Sequence, residues 1–380
     1  MTTPHRHARA ALLVALAALC LGSALAQPQA MPLKSYYVGA LASGPGPGEP
    51  VLLDLTLWED GFAFARLQLP RQRSMLYGTG RLKDGTELRI AFRRPSRDLD
   101  PWWAAEAARR AASGTTYGED PGEPVAVLRA QRDYDWAAEG RTIVGVLRLA
   151  SGEPLELTVA RLAAAARWSY GYGRVSSVAE LPRFPGWDEL NGWLQERVLP
   201  ALDGFATEGL ELDDEGALGW GWWREERVDL AGVAGPFVSL LSTTDDYTGG
   251  AHPNSFHESL LLEVSGDVVP LGLSDLFAGD GWLEELSALV LDDLASQGAL
   301  WVTDGSVEAL GETDLEVFTL DATGVTFHFS PYLMGPYVQG TFRVTVPYDA
   351  VEHLAAPDGP LASFARGDWP ELGARLGAQR

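Results

Sequence analysis

The chain is poor in cysteine and in lysine. Its one cysteine, Cys20, lies in an apolar stretch near the start, and lysine is confined to Lys34 and Lys83 among 380 residues. With the first 26 residues removed, no disulfide, thiolate metal ligand or cysteine nucleophile remains, so stability has to come from core packing. Phosphate binding requires clustered cations, and a formal net charge of -23 argues against nucleic acid as a partner. Beyond residue 26 no stretch approaches the roughly 18 uninterrupted apolar residues of a membrane span, so no span is expected in the mature chain. Neither the Gly-x-Ser-x-Gly elbow of a serine hydrolase nor the His-Glu-x-x-His helix of a metalloprotease occurs.

What is present begins with a leader. Arg6 and Arg9 precede the run AALLVALAALCLG, and Ala24 and Ala26 stand at the small-residue positions of a cleavage site. Residues 1–26 therefore read as a cleaved signal peptide, since about 13 apolar residues are too few to span a bilayer. Cys20 follows Leu19 rather than a small residue, which makes lipid attachment the weaker reading. Cleavage removes two arginines and no acid, moving the formal charge from -23 to -25. The expected product is secreted or periplasmic, and its acidity favours solubility or a basic partner.

Residues 27–165 read as a β-rich domain. Short apolar segments such as VLLDLTLWE, GFAFARLQL and TIVGVLRLA are separated by turn signals such as EDG and KDG, as in antiparallel hairpins. In VLLDLTLWE, Leu53, Leu55 and Leu57 share one face and Asp54 and Thr56 the other, so one side can be buried. A barrel or sandwich is expected. An insertion before residue 125 has room for one helix over 102–112, in which Trp102 and Trp103 either anchor the insertion or offer an aromatic surface to sugars.

Residues 166–368 change character, and 369–380 read as a tail. Trp187, Leu190, Leu194, Val198, Ala201 and Phe205 recur at helical spacing, with Pro200 expected to kink or end that helix. Leu283, Leu286, Val290 and Leu294 form the stripe of a second helix that Gly298 can terminate. Strand patterns surround both. The predicted fold class is α+β: an N-terminal antiparallel barrel or sandwich, then a mostly antiparallel sheet covered on one face by helices.

The segment YTGGAHPNSFHESLLLE, residues 247–263, holds two of the six histidines. His252 precedes Pro253 in a turn, and His257 lies on a strand face with Ser259 and Leu261. Joint metal binding would need the turn folded back and a third ligand from elsewhere, so a turn histidine bonded to backbone is preferred and no metal or cofactor is assigned. No catalytic residue is assigned either, because the many carboxylates of so acidic a chain are mostly solvated turn residues. Downstream, two strands joined by YLMGPYVQ form a hairpin, and Tyr332 and Tyr337 flank a connection that either presents them to a partner or packs them beneath the loop. In GWGWWREE, alternation sets Trp220 and Trp222 on one side and Trp223 on the other, one group for the core and the other for solvent or a sugar.

Three ordered motifs carry a resemblance. Tyr247, Gly249, Gly250, Ala251, His252, Pro253 and Asn254 form the first; Leu273, Asp275, Leu276 and Phe277 the second; Phe329, Pro331, Tyr332, Gly335, Pro336, Tyr337 and Gly340 the third. Over roughly residues 168–365 the chain resembles the RsiV/PdaC-type extracytoplasmic domain family. The resemblance implies an α+β layer and, from the lysozyme-receptor members, a lysozyme-like or other peptidoglycan-active protein as a ligand.

The expectation is a non-catalytic envelope binding protein with Tyr247, Gly249, Gly250, His252, Asn254, Tyr332 and Tyr337 as its binding residues. A peptidoglycan- or carbohydrate-binding module is the alternative, and an envelope hydrolase a third.

Overall fold

The computed structural model describes residues 33–43, 48–83, 87–94, 124–132, 142–150, 152, 154–265 and 267–368. The leader, the 102–112 helix with its tryptophan pair and the 369–380 tail lie outside them.

Eight antiparallel strands close the N-terminal barrel. They are β1 (Leu33–Ala42), β2 (Glu49–Leu57), β3 (Phe62–Leu69), β4 (Ser74–Lys83), β5 (Glu87–Arg93), β6 (Ala126–Arg132), β7 (Thr142–Leu149) and β8 (Pro154–Tyr170), each paired with the next, and β1 pairs with β8. Closure removes the open edges that a flat sheet of this length would expose. Tyr37, Val51, Leu53, Leu55, Ile90 and Phe92 fill the interior.

Strand β8 does not stop at the barrel. Its first half pairs with β7 and β1, and residues 164–170 pair instead with β9 (Val175–Arg183), so the boundary expected at residue 165 falls inside one continuous strand. The sheet then continues through β10 (Trp222–Ala234), parallel to β9, and the antiparallel β11 (Phe237–Tyr247), β12 (Asn254–Glu263) and β13 (Val269–Leu271).

Helix α1 (Asp188–Asp214) supplies the crossover that the parallel β9–β10 pair requires. It runs through Pro200 and ends fourteen residues later, so of the two outcomes expected there, a kink or an end, proline does not end it. Pro200 is exposed, so water can satisfy the carbonyl that the missing N–H leaves unbonded. The helix lies on the face that carries Trp222, Arg224, Glu226 and Val228, as the ring contact of Phe205 with Trp222 and the ion pair of Arg197 with Glu258 show.

The opposite face is covered by a three-stranded sheet, β14 (Phe318–Leu320), β15 (Gly324–Phe329) and β16 (Phe342–Pro347). Ser239 Oγ accepts from Leu320 N at 2.9 Å, and Ser259 Oγ donates to Phe318 O at 2.6 Å, so residues of both β11 and β12 dock this second layer. Helix α2 (Trp282–Ser296) packs on β16 and ends at Gly298, as its stripe predicted; the short α3 (Leu300–Thr303), α4 (Tyr348–Val351) and α5 (Pro360–Arg366) complete the described helices.

The outer wall of the barrel is sealed against this second unit. Asp54 and Thr56, on the polar face of β2, are only 4% and 2% exposed. Lys34 Nζ reaches Asp229 at 2.6 Å, Arg66 reaches Asp54 at 3.3 Å, and Tyr36 donates to Asp229 at 3.2 Å. Burial works against the charge on Lys34, but Asp229 and Asp54 outweigh it and its pKa is raised; burial of Asp54 outweighs its two cations and raises that carboxyl. A register shift in β10 between Leu230 and Gly232 leaves Ala231 out of the ladder. The Ala231 carbonyl accepts from Gln68 Nε2 at 2.6 Å, and Gln68 Oε1 accepts from Ala322 N at 3.0 Å. One barrel side chain thus bonds both layers of the C-terminal unit.

Candidate functional site

The turn between β11 and β12 is built by its glycines. Gly249 and Gly250 have φ values of 110° and 106°, which side chains with a Cβ rarely adopt, and together they reverse the chain within a few residues. Tyr247 closes the turn by donating its hydroxyl to Gly250 O at 3.1 Å, and Asn254 Nδ2 donates to Asp246 Oδ1 at 2.9 Å across the first pair of the ladder.

The same turn sets His252. Its Nδ1 lies 2.9 Å from the Pro253 carbonyl, which can only accept, so the neutral ring carries its proton on Nδ1. Nε2 is then the acceptor for the Tyr332 hydroxyl 3.2 Å away. Tyr337 stacks on the imidazole with ring centroids 3.6 Å apart and planes inclined 15°, and its hydroxyl donates to Pro253 O at 3.0 Å. Tyr332 and Tyr337 are themselves 5.6 Å apart. Two segments eighty residues apart in the chain therefore make one aromatic rim.

The 330–340 loop is held from beneath. Gln339 accepts from Leu300 N at 3.1 Å through Oε1 and donates to Gly298 O at 2.9 Å through Nε2, and Trp301 N donates to Met334 O at 3.2 Å. These bonds fasten the loop to the α2–α3 corner while Tyr332, Leu333 and Val338 stay in solvent, Val338 being 90% exposed. Tyr332 has φ 71°, a left-handed backbone that costs a non-glycine residue about 1–2 kcal/mol. Its ring is 53% exposed. Strain spent on holding an exposed aromatic ring is a recurring property of binding sites.

All seven residues expected from the sequence thus belong to one neighbourhood, with the two glycines shaping it and the His252, Tyr332 and Tyr337 rings forming its surface. Sequence reasoning missed Leu333 and Val338, exposed on the same loop, and it set Trp220 on one side with Trp222, although only Trp220 is exposed. Trp220 Cδ1 lies 3.5 Å from where a side chain on Gly249 would begin, so this tryptophan borders the turn. Its exposure beside the half-buried Trp222 could be anticipated only from its place ahead of the strand.

His257 and His328 are not part of the rim. They face each other across the two sheets with ring centroids 6.1 Å apart, His257 Nδ1 bonded to Thr243 Oγ1 at 3.2 Å and His328 Nε2 to Thr319 Oγ1 at 2.9 Å. Burial, then the neighbouring His257 and Arg343, depress the His328 pKa to about 3, and burial lowers that of His257. His353 lies 3.2 Å from Glu285. Among the described residues no three histidine, cysteine, aspartate or glutamate side chains are grouped to hold a metal ion.

Comparison with known proteins places a label on part of this architecture. Residues 274–349 match the family described as "Protein of unknown function (DUF3298)". This segment is a DUF3298 domain. It holds α2, the three-stranded sheet and the 330–340 loop, while the 247–254 turn precedes it. Among solved structures, a DUF3298 family member from Bacteroides fragilis NCTC 9343 is 17% identical with a TM-score of 0.40, covering 53% of this chain and 95% of its own. A DUF3298 family protein from Pseudomonas aeruginosa PAO1 is 14% identical with a TM-score of 0.35, covering 51% and 93%. No curated protein matches the chain. Among the described residues no helix is long and apolar enough to cross a membrane.

Proposed function

We propose that the protein is a non-catalytic, secreted or periplasmic binding protein of the cell envelope, and that the His252–Tyr332–Tyr337 rim receives a basic, lysozyme-like protein. The observation that carries this reading is Tyr332, a strained and half-exposed ring tied to His252 and pinned from below through Gln339. Tyrosine gives large contact area at small entropic cost, and a loop fixed before binding loses little freedom on association. A formal charge of -23 accelerates encounter with a cationic partner. The first and third of the motifs that resemble the RsiV/PdaC-type family supply the turn and the loop of the rim, and the leader-like residues 1–26 support the extracytoplasmic location.

The test is capture of a cationic lysozyme on immobilised protein over a salt series. Retention at low salt that falls as salt rises is the expected result, because screening weakens a charge-steered complex. Tyr332→Gly should fold at least as stably as the parent, since glycine relieves the left-handed backbone, yet lose most of the retained lysozyme. Absence of retention at low salt defeats the proposal, as does a Tyr332→Gly variant that captures lysozyme as well as the parent.

A further inference from the structure

We infer that a second site, separate from the aromatic rim, binds a neutral saccharide in the cleft where α1 begins. The cavity has a volume of about 440 Å³ and lies between Ala166 and Trp168 of β8, Arg183 at the end of β9, and Asp188, Gly192 and Gln195 of α1. Small-molecule sites commonly enclose roughly 300–1,000 Å³, so one or two sugar rings are the fitting size.

The lining chemistry selects the ligand class. Arg183 is a donor only, Asp188 an acceptor only, and Gln195 both. None of the three side chains has a hydrogen-bond or ion-pair partner among the described residues. One cation and one anion cancel in net charge, so a lone phosphate or a lone ammonium group meets a repelling charge as well as an attracting one. Interspersed donors and acceptors instead match vicinal hydroxyls, each of which donates and accepts. Trp168, half-buried at the cavity wall, contributes the flat apolar surface on which sugar rings stack.

The cleft is held open by two features of α1. Asn191, 8% exposed, spends both ends of its amide on Phe184: Oδ1 accepts from Phe184 N and Nδ2 donates to Phe184 O, each at 2.8 Å. This clip fixes the first turns of the helix against the end of β9, and so fixes Asp188 and Gln195 relative to Arg183 before any ligand arrives. Gly192 is the other feature. It sits inside the helix, where glycine is destabilising relative to alanine, and a Cβ there would meet nothing within 4 Å. Neither a tight approach nor a left-handed backbone asks for glycine at this position. The missing side chain leaves room in the cleft.

Gly192 also gives a test that does not depend on damaging the fold. Parent protein and the variants Gly192→Leu, Arg183→Ala and Tyr332→Gly would be titrated with cellotriose and chitotriose by calorimetry and saturation-transfer NMR. At least one trisaccharide is expected to bind the parent with a dissociation constant of about 1 mM or tighter. Gly192→Leu should weaken binding by about tenfold or more while melting no lower than the parent, because leucine is the better helix former and its side chain enters the cleft. Arg183→Ala should weaken it by about fivefold, the loss of one charge-assisted hydrogen bond. Tyr332→Gly should bind sugar as the parent does, which separates this site from the protein-binding rim. Lack of binding by both trisaccharides up to about 10 mM overturns the inference, and so does a Gly192→Leu variant with parental affinity.

Discussion

Acidification from pH 6.5 toward pH 3 is expected to destabilise the protein at about 1.4 kcal/mol per pH unit through His328 alone. The folded state holds this imidazole at a pKa of about 3, against an ordinary value of 6.5, because its charged form would be buried beside His257 and the Arg343 guanidinium. A base with a depressed folded pKa binds its proton more readily when unfolded. Its contribution is therefore fully present above pH 6.5, is lost as the pH falls through the window, and levels off below pH 3. His257 is shifted in the same direction and adds to the loss. Several acids act oppositely: burial raises Glu226, Glu180 and Asp54, and their protonation favours the folded state. Comparison with His328→Gln isolates the histidine. Urea unfolding at pH 7.5, 6 and 5 should show the variant less stable at pH 7.5, where it loses a well-packed ring, and with a shallower decline on acidification. Parallel curves for the two proteins would remove His328 as the cause.

The second large effect is expected at Gln68. Gln68→Met keeps length and shape but removes both amide bonds, stranding the Ala231 carbonyl and the Ala322 N–H in a fully buried seam. At about 1–3 kcal/mol for each stranded buried group, the loss is roughly 2–6 kcal/mol. Arg73 provides the contrast. It joins the same two units through Asp349 and Glu352, but those pairs are solvent-exposed, and Arg73→Ala should cost less than about 1 kcal/mol. Urea midpoints of the two variants decide the matter, and equal shifts would contradict a seam held chiefly by its buried amide.

The contrast between those two residues also explains what could be read in advance. The barrel was visible because its strands alternate locally: Leu53, Leu55 and Leu57 do line the interior. Their polar neighbours Asp54 and Thr56, set on the other face by the same rule, are buried as well, Asp54 beside Arg66 and the Lys34 that reaches Asp229 of β10. Period-2 patterning states which residues share a face, and says nothing about what covers it. Lys34 and Asp229 are 195 positions apart, a separation over which no local pattern carries information. Gln68 attracted no notice for the same reason.

The rim was partly legible. Paired glycines, a proline and an adjacent histidine fix the 247–254 turn by local backbone chemistry, and a tyrosine-flanked hairpin loop is recognisable as such. That His252 stacks on Tyr337 follows from how β12 lies across the three-stranded sheet, which only three-dimensional structure supplies. The His257–His328 pair arises from that same docking. The saccharide cleft escaped because its lining comes from the ends of two strands and the first turns of a helix, none of which forms a motif.

Strand β8 has a practical corollary for anyone dividing this chain. A cut at residue 165 would leave the upstream fragment at the very limit of the β1 seam and strip β9 of its only partner on that side. The downstream piece would then offer the raw backbone of β9 to its own copies. Fragments meant for separate study should therefore duplicate residues 154–170 rather than share them out.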